Sequence, residues 1–334
     1  MVRPQSGTPV VIGLSAVVVG MREGEAAVLT VKPHDDNGKV SALAGLPFGP
    51  FDPAQDRTFE LALRAFVAEQ TGFELGWVEQ LYTFGDQGRD APLADVGAGA
   101  ARVVSVGYLA LTPRAEGADT PDTAWMPWVR AFPWEDWRRG RPAAIDAVIA
   151  PGLKRWADEA GRGAAEARLQ RARQLFALDG APWKEERVLD RYELLYEAGL
   201  APEAARDRAL AEGRAAPEPA RFDPALGEPM ISDHRRILAT GLGRLRAKLQ
   251  YRPVAFELTP PEFTLSALQK LVEAISGVPL HKQNFRRALE RTGLVEPLGR
   301  LEPDTGGRPA ELYRYARERA AAGPPQGLNL PVLR

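Results

Sequence analysis

The residues best suited to do chemistry lie in Leu280 to Thr292, LHKQNFRRALERT. Wound as a helix, this run puts Phe285, Ala288 and Leu289 on one face and Lys282, Gln283, Arg286, Arg287 and Glu290 on the other. A guanidinium can grip guanine O6 and N7 with two parallel hydrogen bonds, and glutamine or asparagine can do the same for adenine. Further cations neutralise phosphates and fix the register of a protein on a duplex. With His281, Asn284 and Arg291 on the same segment, the run carries the side chains that reading a major groove requires. The plainer reading is that Arg286 and Arg287 solvate a surface helix. The elements around the run decide between the two.

Ahead of it, Phe263 to Ile275 spaces Leu268, Leu271, Val272 and Ile275 along one helical face, with Thr264 as N-cap. Gly277-Val278-Pro279 breaks this helix, and Gly293 suits the left-handed cap of the next. Leu294 to Leu298 then reads as a strand, Thr305-Gly306-Gly307-Arg308 as a turn and Ala310 to Tyr315 as the returning strand. The order is helix, turn, helix and β-wing, the layout that lays a second helix in the major groove. Thr264 at the helix start and Arg308 in the wing turn complete the candidate DNA-contacting set. From Gly227 to Arg334 there are 17 Lys and Arg against 11 Asp and Glu, net +6 in a chain of net −1, so the remainder carries −7. A basic segment on an acidic body is one footprint of nucleic-acid binding. The long basic helix Ile231 to Leu249, with its seam Leu238, Leu242, Leu245 and Leu249, is expected to pack inside this same domain rather than to form a dimer contact.

A chain of 334 residues, 45% hydrophobic and 26% charged, can bury a core and points to about two domains. Its lack of cysteine excludes a disulfide framework and a thiol nucleophile, and fits a reducing, cytoplasmic setting. The longest apolar stretch, Val10 to Met21, is shorter than the roughly 20 residues a bilayer needs, so no membrane partner is expected. It resembles a signal-peptide core in length, but it runs through the turn Arg22 to Glu25 into Ala26 to Val31, which favours a buried hairpin. A Gly/Pro-rich loop (Ala44 to Pro53), a helix (Arg57 to Thr71), two strands (Trp77 to Phe84, Arg102 to Leu111) and a small-residue loop (Ala91 to Ala101) complete an α+β sandwich. Trp125, Trp128, Trp134 and Trp137 are expected to pack an interface. Glu135 to about Leu210 reads as a helical connector in which Trp183 to Leu200 is amphipathic, and Ala211 to Pro229 as a flexible boundary.

At the level of whole segments, FELTPPEFTLSALQKLVEAISGVPLHKQNFRRALERTGLVEPLG followed by GRPAELYRY (about Arg252 to Tyr315) resembles the winged-helix half of the NrtR-type regulators of NAD metabolism. LPFGPF (Leu46 to Phe51), EQTGF (Glu69 to Phe73) and VEQLYTFGD (Val78 to Asp86) with Arg89 resemble the Nudix-like effector domain of that family. The linked run RTFELALRAFVAEQTGFELGWVEQLYTFGDQGR is closer to the NadQ-type branch. The resemblance implies an α+β chain: a Nudix-like α/β/α sandwich over residues 1–134, a helical connector over 135–226, a winged helix-turn-helix over 227–320 and a tail over 321–334. It further implies a homodimer on a palindromic double-stranded DNA operator, acting on NAD-biosynthesis genes as a repressor.

A working Nudix box reads G-x5-E-x7-R-E-U-x-E-E-x-G-U, its helical glutamates holding magnesium. With its last glycine on Gly72, the first glycine falls on Phe51, the first glutamate on Arg57, the Arg-Glu pair on Ala65-Phe66 and the Glu-Glu pair on Glu69-Gln70. Only Glu69 remains, whereas magnesium needs several oxygen ligands in octahedral order. Arg64 stands one residue from the arginine position, a turn of about 100° on a helix. Hydrolysis is therefore not expected, and no cofactor is required. The resemblance implies instead a pocket for an effector nucleotide such as NAD, ATP or ADP-ribose, with Arg64, Glu69, Glu79, Gln80, Tyr82, Phe84, Asp86 and Arg89 as candidate lining. Aromatics there would stack a base and Arg89 would hold a phosphate. Strand alternation sends about half of Glu79 to Phe84 to each face. The rival readings are a divergent hydrolase of ADP-ribose-like nucleotides using Glu60, Glu69 and Asp86, and a silent interaction protein.

Overall fold

The computed structural model describes residues 10–34, 38–85, 102–117, 119–215, 222–302, 309–322 and 327–328. The apolar N-terminal run forms β1 (Val10–Arg22), which turns back into β2 (Glu25–Val31) with Arg22 opposite Glu25. After β3 (Phe48–Pro50), α1 (Phe59–Thr71), β4 (Trp77–Phe84), β5 (Arg102–Thr112) and β6 (Thr123–Pro127), the sheet has the order β4-β5-β1-β2-β6, with β3 also paired to β1. β1 and β5 run parallel from Val10↔Arg102 to Gly20↔Thr112, and the other pairs are antiparallel.

β1 is apolar along most of its length, Ser15 apart, because it is covered on both faces. Leu14, Ala16 and Val18 meet Ala62, Leu63 and Val67 of α1. Val17 and Val19, with Leu109 and Leu111 of β5, meet Leu238, Leu242 and Leu245 of a second helix. That helix is the long basic one. Counting the helices between, α2 (Trp128–Ala131), α3 (Ala150–Asp158), α4 (Arg162–Phe176), α5 (Val188–Glu197) and α6 (Pro202–Ala211), it is α7 (His234–Tyr251).

The apolar seam of α7 is buried as expected, but the helix packs against β1, β4 and α5 as well as against the first winged-helix element. It is the outer layer of the sandwich, so the packing expected wholly within the basic domain is corrected. Two glycines permit this double contact. A Cβ at Gly241 would lie 2.9 Å from Val17 Cγ1, and one at Gly243 would lie 2.7 Å from the Glu186 carbonyl oxygen.

The connector helices fold back onto this body. Trp128 and Trp134 are fully buried, and Trp128 and Trp137 meet the end of the helix that follows α7 through Ala274 O and Gly277 O, whereas Trp125 packs edge-on against Phe73 at 5.7 Å within the sandwich itself. Of the expected boundary, residues 216–221 lie outside the described residues. Its far end is tied in, since Glu228 N donates to Arg130 O at 2.8 Å and Ile231 N to Ala44 O at 3.0 Å.

At the centre of the body sits a buried ionic cluster. Glu135 accepts from Arg191 Nε at 2.5 Å and Nη2 at 2.9 Å, and from Arg246 Nη1 at 2.6 Å. Arg191 also donates to Lys184 O at 2.9 Å and lies 3.8 Å from the centre of the Trp183 ring. Burial, with the like charge of Arg191, lowers the pKa of Arg246, and the Glu135 carboxylate opposes that shift. A carboxylate bonded on both oxygens inside a body ties together the elements it joins, and removing it would leave two buried cations unpaired.

Candidate nucleic-acid interface and effector strand

Beyond α7, β7 (Glu262–Thr264) leads into α8 (Leu265–Ser276) and α9 (Lys282–Thr292), and β8 (Val295–Leu301) and β9 (Glu311–Tyr315) complete a sheet of order β7-β9-β8. The short helix α10 (Arg317–Ala322) follows. Thr264 Oγ1 accepts from Ala267 N at 3.1 Å as N-cap, and Gly277 and Gly293 close the two helices in the left-handed region, φ 75° and 61°. Thr264 and Gly293 cap where the sequence puts them, and Gly277, read as the helix break, closes α8 as a left-handed cap. The turn between the helices is stitched to α8, since Glu273 Oε1 accepts from Leu280 N and Gln269 Nε2 donates to Leu280 O, both at 2.8 Å.

On α9, Phe285, Ala288 and Leu289 are buried, whereas His281, Lys282, Gln283, Asn284, Arg286, Arg287 and Arg291 are exposed. Among the described residues the wing strands are held by Arg314 to Glu296 at 3.1 Å and by Arg300 to Glu262 at 2.5 Å. Phe256 stacks on Tyr315 at 4.3 Å and anchors the sheet to the body side. Between α9 and β9 lies a cleft of about 480 Å³, lined by the start of α8 (Thr264, Leu265, Ser266), Lys282, Arg286, Glu311 and Tyr313. Burial and the hydrogen bond to Glu311 push the Tyr313 phenol pKa up, so it stays a neutral hydroxyl. Two cations converging on a helix N-terminus make a site fit for a phosphate group. Thr264 lines this cleft with its hydroxyl committed to the cap. Arg308 and the expected wing turn lie outside the described residues. Ser266 and Tyr313 were not singled out from sequence, and only their place beside capped and strand positions could have flagged them.

The candidate effector residues divide between the two faces of the sheet. On α1, Arg64 pairs with Glu60 at 2.9 Å and donates to Gly76 O at 3.0 Å and to Leu75 O, fastening the link to β4. Glu69 is exposed nearby. Gln70, which stands where a Nudix glutamate would be, exchanges hydrogen bonds with the Phe48 backbone, Nε2 to O at 2.6 Å and N to Oε1 at 3.3 Å. That side chain now serves β3.

On β4, a register shift between Gln80 and Thr83 turns Phe84 inward with Leu81 onto the α7 side. Glu79 points to the same side, where Lys248 Nζ donates to Oε2 at 2.7 Å, and Arg236 lies 5.4 Å from the Phe84 ring centre. Gln80 and Tyr82 are exposed, and Tyr82 meets Phe84 edge-on at 5.4 Å. The structure thus brings Glu79 and Phe84 together against α7, apart from Arg64 and Glu69 on the α1 side. Asp86 and Arg89 lie outside the described residues. Among the described residues, no group of three His, Asp or Glu side chains is placed to hold a metal ion, and no helix is long and apolar enough to cross a membrane.

Comparison with known proteins agrees with this architecture. Residues 255–315 match the NrtR DNA-binding winged helix domain family. The ADPR responsive transcriptional repressor NtrR of Acinetobacter baylyi is 36% identical over 110 residues, 33% of this chain and 44% of that protein. The chain thus matches less than half the length of this curated relative. In fold, Shewanella oneidensis NrtR in complex with a 27mer DNA gives a TM-score of 0.54 at 20% identity, covering 96% of this chain and 99% of that one. A MutT/nudix family protein from Enterococcus faecalis gives 0.51 at 16% identity, covering 94% and 89%. Residues 255–315 are therefore a winged helix of the NrtR DNA-binding type, and the chain as a whole shares the fold of the Shewanella NrtR and Enterococcus MutT/nudix structures.

Proposed function

We propose that this chain is a nucleotide-responsive DNA-binding regulator, a repressor in class, whose Nudix-like half senses a ligand without hydrolysing it. The observation that carries the reading is the α9 face. Its Lys282, Gln283, Asn284, Arg286 and Arg287 are all exposed on a helix held by buried Phe285 and Leu289, beside a cationic cleft at the start of α8. Such a face reads bases with its centre and phosphates with its margins. Thr264, His281, Arg291 and Arg308 complete the proposed contact set.

One winged helix is a small footprint, and specific sites need roughly 1,000–2,500 Å² of buried protein surface. A homodimer on a palindromic operator supplies that area, and the target genes are those of NAD biosynthesis. The effector is an adenine nucleotide, with ADP-ribose the first choice because the Acinetobacter relative is named as ADPR responsive. NAD and ATP are the other nucleotides to test. The proposed lining is Gln80 and Tyr82 of β4 with Arg64 and Glu69 of α1, together with Asp86 and Arg89, while Glu79 and Phe84, turned toward α7, back the strand rather than line the pocket. The non-hydrolytic reading rests on what occupies the box: Gln70 serves β3, Glu60 is paired with Arg64, and Phe66 and Ala65 stand where an Arg-Glu pair would act. The division at about residues 134, 226 and 320 and a cytoplasmic setting belong to the same proposal.

The test is retention of DNA fragments from upstream of NAD-biosynthesis genes against a scrambled control, at one fixed salt concentration, with ADP-ribose, NAD and ATP added in turn. Preference for a fragment, changed by one of these nucleotides, is the expected result. No preference under any condition overturns it.

A further inference from the structure

Two basic side chains on α7 join parts of the molecule that are far apart in sequence. Lys248 holds Glu79 of β4 at 2.7 Å with only 11% of its side chain exposed, and its Nζ lies 5.9 Å from the centre of the Trp77 ring. Two residues earlier, about 200° around the helix, Arg246 faces the other way. Its Nε donates to Ile275 O at 2.9 Å while its Nη1 holds Glu135.

Arg246 is one of three donors gathered on the end of α8. Trp128 Nε1 donates to Ala274 O at 2.9 Å and the Trp137 backbone N to Gly277 O at 2.6 Å. The last carbonyls of a helix lack partners within it, and here the body supplies them. The fit is tight as well, since a Cβ at Gly277 would lie 2.3 Å from the Glu135 carbonyl oxygen. The direction of α8, and through the stitched turn that of α9, is therefore set by α7 and the segment from Trp128 to Trp137.

We propose that α7 is the transmission element of the molecule: the Lys248–Glu79 contact registers the state of β4, and Arg246 with Glu135 passes it to the C-terminal end of α8. Lys248 and Arg246 are positioning residues in this scheme. The role of the signal rests on the reading above, in which β4 borders an effector pocket and α9 reads DNA. The mechanical link does not. An effector that favours one arrangement of β4 then shifts the population of recognition-helix placements by its differential affinity for the two.

The test is hydrogen exchange in the full, ligand-free chain, followed at the amides of Trp137 and Ala274 to Val278. The proteins compared are wild type, Lys248→Met, Glu79→Gln and the swapped pair Glu79→Lys with Lys248→Glu. Each single variant is expected to speed exchange at these amides at least about fivefold, while α1 amides stay within about twofold, because local opening is reported element by element. The swapped pair is expected to recover most of the protection. Unchanged exchange at the α8 end in both single variants overturns the proposal, and so does uniform acceleration in α1 and α8, which marks lost stability alone.

A second arm separates this idea from the functional reading. Lys248→Met is expected to bind ADP-ribose as wild type does in the absence of DNA, yet to lose at least about fivefold of the nucleotide's effect on operator affinity. An undiminished effect in that variant counts against the link. A wild type whose operator binding ignores the nucleotide overturns the effector reading and leaves the exchange result to judge the link.

Discussion

Lowering the pH should weaken this fold through one residue at the start of α7. His234 is buried, its Nδ1 accepts from the Leu46 backbone N–H at 2.9 Å, and its ring meets Phe48 edge-on at 5.0 Å. Burial, reinforced by the nearby Arg206 charge, holds its pKa at about 3. In an unfolded chain the same imidazole takes up its proton near pH 6.5. Between those values the unfolded state binds more protons than the folded one, so stability falls as pH falls. The contribution is complete above about pH 6.5 and is lost progressively toward pH 3. At pH 5, about 1.5 below the unfolded value, the loss is about 2 kcal/mol at roughly 1.36 kcal/mol per pH unit. His234→Asn keeps an acceptor for Leu46 N–H and removes the titration. Urea unfolding of both proteins at pH 7 and pH 5 isolates the histidine from the carboxylates that also titrate. Wild type should lose about 2 kcal/mol more than the variant over that interval. Equal losses would refute the assignment of a neutral imidazole to this site.

Three further predictions follow from the packing and the interface. Arg286→Ala and Arg287→Ala should each weaken operator binding with ADP-ribose affinity intact; a base contact costs about 1–3 kcal/mol and relaxes specificity, while a phosphate contact flattens the salt dependence. Operator titrations at several salt concentrations, with a nucleotide titration alongside, check both. Glu135→Gln should destabilise the fold by about 3–5 kcal/mol, because it leaves Arg191 and Arg246 buried without their counter-charge; thermal unfolding reads this, and a loss under about 1 kcal/mol would contradict the cluster. Gly241→Ala should cost about 1–3 kcal/mol, since the new methyl meets three carbons of buried Val17 at 2.9 to 3.2 Å, outweighing the roughly 1 kcal/mol gained in helix propensity. A denaturant midpoint that rises would reverse that judgement.

What could be read from the residues was local. The caps Thr264 and Gly293, the break at Gly277 and the seam of α7 all depend on neighbours within a few positions, and the structure forms them at those positions. The partners of those surfaces were not legible. The Leu238, Leu242 and Leu245 seam states that α7 is covered and does not say by what, so its place on the sheet became clear only in three dimensions. Glu135, Arg191 and Arg246 carry no signal of their cluster, because the bonds join residues 56 and 111 positions apart. In a linear reading Arg191 is one more charge on a polar helix face. The facing of the candidate effector residues was lost for a smaller reason: one irregularity between Gln80 and Thr83 reverses the side taken by Phe84.

The position of α7 also bears on how the chain comes off the ribosome. Val17, Val19, Val28, Leu109 and Leu111 are covered by side chains that are translated more than a hundred residues later. Until α7 emerges, the nascent sheet must carry an open apolar face, the kind of surface through which folding intermediates associate wrongly. The first half of the chain is therefore not a unit that matures before the second. A ribosome that stalls between residues 134 and 234 leaves behind a species that chaperones must hold, and degradation of such fragments would keep their adhesive face out of the cell.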